Sequence, residues 1–133
     1  MQASSLELIA AARAVCGAFA LDYDLSAGAV GAALRTAAGR VYTGVSVELG
    51  CGLGFCAEVA AIADMLKHRE TRIVEIVAVK GERIVPPCGR CRETLAQIDP
   101  GNLDTRVIVA EDRDIALREL LPAPWTVARK GGS

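Results

Sequence analysis

Three cysteines and one glutamate in this sequence have the types and spacing for metal-assisted proton transfer. Cys88 and Cys91 are separated by two residues in Pro87-Cys88-Gly89-Arg90-Cys91, a spacing that lets two thiolates grip one ion from the start of a helix. Cys56, in Cys56-Ala57-Glu58, can add a third thiolate from a second helix. Three protein ligands on a zinc ion leave the fourth tetrahedral position open, as catalytic rather than structural sites do. Glu58 need not be a ligand: in a first helical turn its carboxylate can reach the reacting group and move a proton. Three thiolates around Zn²⁺ leave a formal charge of about −1. Two helix N-termini, each with roughly half a unit of positive charge, offset it, and Arg90 and Arg92, which flank Cys91, can donate to a ligand sulfur.

Other readings of the cysteines compete with this one. A Cys-x-x-Cys pair also occurs as a redox pair, usually after the first strand of a thioredoxin-like unit, which this sequence does not show. It also occurs in structural zinc sites, which want a fourth ligand. Cys51, His68 and Cys16 are the candidates, Cys51 the strongest, being five residues before Cys56. A structural site would have no use for Glu58. Cys16 reads as a small buried hydrophobe, and His68, the one histidine, as a surface residue at a helix end. Glycines 50, 52 and 54 lack the Lys and Ser/Thr of a phosphate-binding loop and read as a loop passing close over a ligand.

The elements that must hold these residues follow from periodicity. Ser4 to about Ala20 reads as a helix capped by Ser4 or Ser5. Residues 22–26 form a turn, and residues 29–34 and 41–48 two strands joined by a hairpin at Ala38-Gly39. Residues 56–69 read as a second helix, 73–79 as a strand rich in Val and Ile, and 89–98 as a third helix. Asp99-Pro100-Gly101-Asn102 stops that helix. Residues 106–110 form a further strand, a fifth lies around Ile115, and residues 118–121 form a last helical turn before Pro122. This order implies a mixed sheet with helices packed on it. Both cysteine clusters begin helices in crossover positions, so both can face one site at the strand ends.

Composition bounds the partners. The chain has 133 residues, 52% hydrophobic and only 4% aromatic, with formal net charge −1. That suits a single domain over residues 1–127, with a flexible tail over 128–133. No basic run or aromatic-basic interleaving points to nucleic acid, and no apolar run approaches the roughly 18 residues of a membrane span. Five cysteines, an odd number, and no export signal argue for a reducing, cytoplasmic setting.

Cys56-Ala57-Glu58 together with Pro87-Cys88-Gly89-Arg90-Cys91-Arg92 resembles the homotetrameric cytidine deaminases and the related blasticidin-S deaminases. Residues 31–34, 43–48 and 119–122 resemble the first-strand, second-strand and C-terminal motifs of these enzymes, in the right order. In zinc deaminases the metal is held by His or Cys plus a Cys-x-x-Cys pair, with a non-ligand Glu as general acid and base. The resemblance implies a three-layer α/β/α fold on a mixed five-stranded sheet, one Zn²⁺ per subunit, and a homotetramer whose sites borrow residues from neighbours. It implies hydrolysis of the exocyclic amine of a pyrimidine nucleoside with release of ammonia, Glu58 protonating the adjacent ring nitrogen and then the leaving amine. It implies a substrate pocket that includes Gly28, Ser46, Glu48, Ala57 and Trp125.

The departures bear on substrate. Ser46 stands where cytidine deaminases usually carry an Asn beside a Glu that holds the ribose hydroxyl; Glu48 is kept. Gly28 replaces an aromatic that lines the base pocket, and Trp125 stands where a C-terminal Phe packs on the base from another subunit. The loop after Glu48 is one residue shorter, and Val59 replaces an Arg. Blasticidin-S deaminases also have an apolar residue at that last position. The expected activity is deamination of cytidine or deoxycytidine. A modified cytosine nucleoside such as blasticidin S is the alternative, and a non-catalytic zinc-stabilised binding module a third reading.

Overall fold

The structure, a computed structural model, describes residues 2–129. In chain order it contains α1 (Ala3–Val15), β1 (Phe19–Ala20), β2 (Ser26–Thr36), β3 (Val41–Glu48), α2 (Ala57–Lys67), β4 (Ile73–Lys80), β5 (Arg83–Ile84), α3 (Gly89–Ile98), β6 (Arg106–Ala110), β7 (Arg113–Ala116) and α4 (Leu117–Leu120), with short 3₁₀ turns at Asp22–Asp24, Pro100–Asp104 and Trp125–Arg129. The last turn includes residues 128 and 129 of the expected tail; residues 130–133 lie outside the described residues.

The long strands lie in the order β3, β2, β4, β6, β7. β2 is antiparallel to both β3 and β4, β4 and β6 are parallel, and β7 closes the far edge antiparallel to β6. Because β3 and β4 are both antiparallel to β2, they run the same way, and α2 crosses over β2 to join them. α3 makes the other crossover, from β4 to β6. Both helices therefore start from the same end of the sheet, as parallel connections require.

Alternation along the strands splits the core between two faces. Leu34, Ile76 and Val107 pack with Ala61, Ile62 and Met65 of α2 and with Leu95 and Ala96 of α3. Their neighbours Ala33, Val77 and Ile108 pack with Leu8, Ile9 and Ala12 of α1 on the other side. The result is the expected three layers. Asn102, fully buried, staples one end of the α3 crossover. Its Oδ1 accepts the Ile73 N–H at 2.8 Å, while its Nδ2 donates to the carbonyls of Thr71 and Leu95, each at 3.0 Å.

Three expectations are corrected. The sheet has seven strands rather than five. β1 and β5 contribute two residues each, against β2 and β4, and a ladder that short leaves no alternation to read. α1 ends at Val15 instead of near Ala20 because Cys16 is already extended and the Gly17 N–H donates to the Gly28 carbonyl at 2.8 Å, turning the chain into β1. Neither Ser4 nor Ser5 caps α1; Gln2 occupies that position. Ser5 is buried instead, its hydroxyl donating to Glu75. Arg35, the cross-strand neighbour of Glu75, pairs with the same carboxylate at 2.8 Å and also donates to the Ser4 carbonyl at 3.0 Å. This buried cluster fixes the start of α1 on the sheet.

Candidate metal centre and active site

The two crossover helices start with the cysteines. Cys56 is the N-cap of α2 and Cys88 the N-cap of α3, so both sulfurs sit beside free N–H groups at the positive ends of helix dipoles. Cys91 lies one turn into α3 and is buried, whereas Cys56 is half-buried and Cys88 exposed. The three sulfurs lie within 4.8 Å of one another, with Cys56 to Cys88 at 3.5 Å and Cys88 to Cys91 at 3.7 Å. Thiolates about 2.3 Å from a tetrahedral zinc stand about 3.8 Å apart, so the cluster is already spaced for the ion. Among the described residues no fourth metal-ligating side chain joins it. Cys51 is exposed in the loop before α2. Cys16 points its thiol at the carbonyls of Ala29 and Val79. His68 sits at the far end of α2 against the Asp64 carbonyl and the Tyr42 ring.

Electrostatics within the cluster are uneven. Burial, then the Glu58 carboxylate and the other two sulfurs, pushes the Cys91 thiol far up. Burial, then a hydrogen bond with Cys88, pushes Cys56 up. Burial opposes ionisation of Cys88 as well, but the Cys91 N–H, the two neighbouring sulfurs and the Arg90 N–H outweigh it and bring that thiol below its ordinary value. Three adjacent thiolates repel one another, and a divalent cation bound between them would supply the compensating charge.

Glu58 stands in the first turn of α2 and is only 5% exposed. Burial raises its carboxyl above the usual range, partly offset by hydrogen bonds from the backbone and from Cys91. It opens on a cavity of about 370 Å³ that also reaches Cys56 and Cys88. The polar part of that cavity is Ser46 and Glu48 at the end of β3. The Ser46 hydroxyl donates to Glu48 Oε1 at 2.7 Å and accepts the Val30 N–H at 2.9 Å. Glu48 Oε2 is shut off from solvent and has no hydrogen-bond partner among the described residues. The apolar part is Val30, Ala57, Phe55, Val85 and Pro86, and Arg90 lies at the wall.

The structure thus brings Ser46, Glu48, Ala57, Glu58, Arg90, Cys56 and Cys88 to one cavity, with the Cys91 sulfur beside the other two. It places the other expected residues elsewhere. Arg92 donates to the carbonyls of Pro87 at 2.9 Å and Leu120 at 3.1 Å, holding the turn before Cys88 against the end of α4 rather than a sulfur. Gly28 does not line the cavity. Trp125, 54% exposed, sits on the C-terminal 3₁₀ turn, where its backbone N–H donates to Glu93 Oε1 of α3 at 2.8 Å. Sequence reasoning missed Phe55, Val30 and the Val85-Pro86 wall. The position of Phe55 directly before a helix cap was the available signal for the first; the other two depend on how strands meet.

The sequence profile described as the cytidine and deoxycytidylate deaminase zinc-binding region matches residues 7–110. The chain is 36% identical over 103 residues to a cytidine deaminase of Halalkalibacterium halodurans, covering 73% of this chain and 76% of that one. It is 31% identical over 110 residues to a blasticidin-S deaminase of Bacillus cereus, with the same coverage. The crystal structure of a cytidine deaminase from Mycobacterium tuberculosis superimposes with a TM-score of 0.77 at 30% identity, over 93% of this chain and 98% of that one. With the profile spanning most of the chain and the three sulfurs spaced for zinc, this chain belongs to the cytidine and deoxycytidylate deaminase family of zinc-dependent hydrolases.

Proposed function

We propose that the chain hydrolyses cytidine or deoxycytidine to uridine or deoxyuridine and ammonia, with zinc held by Cys56, Cys88 and Cys91 and with Glu58 as the catalytic residue. The observation that carries this reading is the buried Glu58 carboxylate, which shares the cavity wall with two of the three metal-spaced sulfurs. Zinc, when bound, supplies the Lewis acidity that makes water a nucleophile near neutral pH. Glu58 accepts a proton as water adds to the amine-bearing ring carbon. It delivers that proton to the adjacent ring nitrogen, then takes a second from the hydroxyl newly bound to the ring carbon and passes it to the departing amine. Ala57, Phe55 and Val85 keep bulk water away from the ring. Ser46 holds one oxygen of Glu48, and the unpartnered Oε2 accepts a hydroxyl of the sugar. Arg90 and the starts of α2 and α3 offset the negative charge of the three thiolates.

A modified cytosine nucleoside such as blasticidin S is the second reading, favoured by Ser46 and Val59 and by the Bacillus cereus relative. We further read the working form as a cytoplasmic homotetramer of a single-domain chain with one zinc per subunit. Large apolar side chains left exposed on the isolated chain, such as Phe19 and Val127, support the assembly. Trp125 then serves the site of a neighbouring subunit.

The test is ultraviolet absorbance of cytidine incubated with zinc-loaded protein beside a Glu58→Gln variant. The wild type depletes cytidine, and the variant does so about 10²–10⁴-fold more slowly with its zinc content unchanged. Zinc-loaded wild type that leaves cytidine intact but turns over blasticidin S moves the conclusion to the second reading. Inertness toward both overturns the enzyme reading.

A further inference from the structure

We propose that Phe55 is the aromatic platform against which the pyrimidine ring stacks in this chain, and so a residue that sets its specificity for flat heteroaromatic amines. The inference rests on the deaminase reading above.

Three observations converge on it. First, position 28 cannot supply a ring. Gly28 has a left-handed backbone with φ +86°, and a Cβ there would lie 2.4 Å from the Gly17 carbonyl oxygen. Any side chain at 28 breaks the junction between α1 and β2. Second, Phe55 is the only aromatic among the described residues that line the cavity. It is 37% exposed, a large apolar ring left partly uncovered beside that space, which a bound base would cover. Third, its position is fixed by backbone and not by the mobility of a loop. Phe55 and Val47 exchange two hydrogen bonds of 3.0 Å each, an isolated antiparallel bridge that ties the ring to the end of β3. Gly54 makes that bridge possible, since a Cβ there would meet the Val47 carbonyl oxygen at 2.3 Å.

The chemistry of the wall fits a base. Phe55 is the residue immediately before Cys56, so a ring lying on it is held next to the metal-spaced sulfurs. Val30 and Val85 add aliphatic contact, while the hydrogen-bonding groups, Ser46, Glu48 and Glu58, are left to the substituents and the ring edge. Stacking on an aromatic side chain tolerates substituents in the base plane, because every base presents a π-face.

The experiment compares zinc-loaded wild type, Phe55→Leu, Phe55→Tyr and Leu53→Ala by steady-state kinetics and by calorimetric binding of the product uridine. Leu53 lies in the same loop, exposed and outside the cavity. Phe55→Leu is expected to raise KM and weaken uridine binding about 5- to 150-fold, with a smaller change in kcat and with zinc content and sedimentation unaltered. Phe55→Tyr, which keeps the ring, and Leu53→Ala stay near wild type. Wild-type uridine binding in Phe55→Leu overturns the inference while leaving the deaminase reading intact. A loss of binding that follows lost zinc or altered sedimentation also overturns it, because Phe55 is then structural. A wild type that neither turns over a cytosine nucleoside nor binds uridine overturns both.

Discussion

Ser46 satisfies two partners with a single hydroxyl. Between Ala27 and Gly31 the pairing of β2 with β3 slips, so that four steps along β2 match two along β3. The Val30 N–H inside that bulge has lost its strand partner and is taken by Ser46 Oγ, which passes its own hydrogen to Glu48. Ser46→Ala therefore leaves a part-buried N–H unmet and frees the carboxylate that we assign to the sugar. We expect a stability loss of about 1–3 kcal/mol in urea unfolding together with a higher nucleoside KM. Ser46→Asn, with an acceptor and a donor on a short stem, recovers most of both. A Ser46→Ala protein as stable as wild type would show that water or backbone relaxation satisfies Val30. The departure at 46 was visible in the sequence. Its job was not, because a register shift is a property of two strands together. The placement of the three sulfurs and of Glu58 was legible for the opposite reason: their spacing is local, and a helix start converts it directly into geometry.

At the level of elements, the strands with clear alternation and the helices with long apolar stripes were readable, and the short additions were not. α2 and α3 begin where their cysteines predicted them, since the N-cap and the ligand are the same residue in each. β1, β5 and the early end of α1 depend on contacts with β2 and β4 that no local window contains. Asn102 belongs with them. It reads as part of a turn, Asp99-Pro100-Gly101-Asn102, yet in the fold its side chain binds the first N–H of β4, the carbonyl before that strand and a carbonyl of α3. Asn102→Ala leaves one buried donor and two acceptors without their partner, at about 1–3 kcal/mol each. The expected loss is therefore about 3 kcal/mol or more in equilibrium urea unfolding, with unchanged slope. A loss below about 1 kcal/mol would mean that water replaces the amide.

For the whole molecule, the proposed tetramer makes a definite prediction. Phe19 is 56% exposed and Val127 58% exposed on the isolated chain, and an obligate assembly covers such groups. Sedimentation equilibrium at micromolar concentration should return four times the chain mass, and a Phe19→Asp, Val127→Asp variant should return a smaller species. A monomeric wild type would sink the assembly and with it the role of Trp125 at a neighbour's site.

The α3 crossover also sets an order in time. Cys88 and Cys91 reach Cys56 only once α3 has docked, and α3 docks through Leu95 and Ala96 on a core that includes Val107 of β6. A chain emerging from the ribosome exposes its first ligand more than thirty residues before the other two, and holds all three in place only after β6 has joined β4. The expected consequence is that zinc loads late, onto a nearly finished fold: chelating the ion should leave the far-ultraviolet circular dichroism of the folded chain largely unchanged, where a zinc finger would unfold.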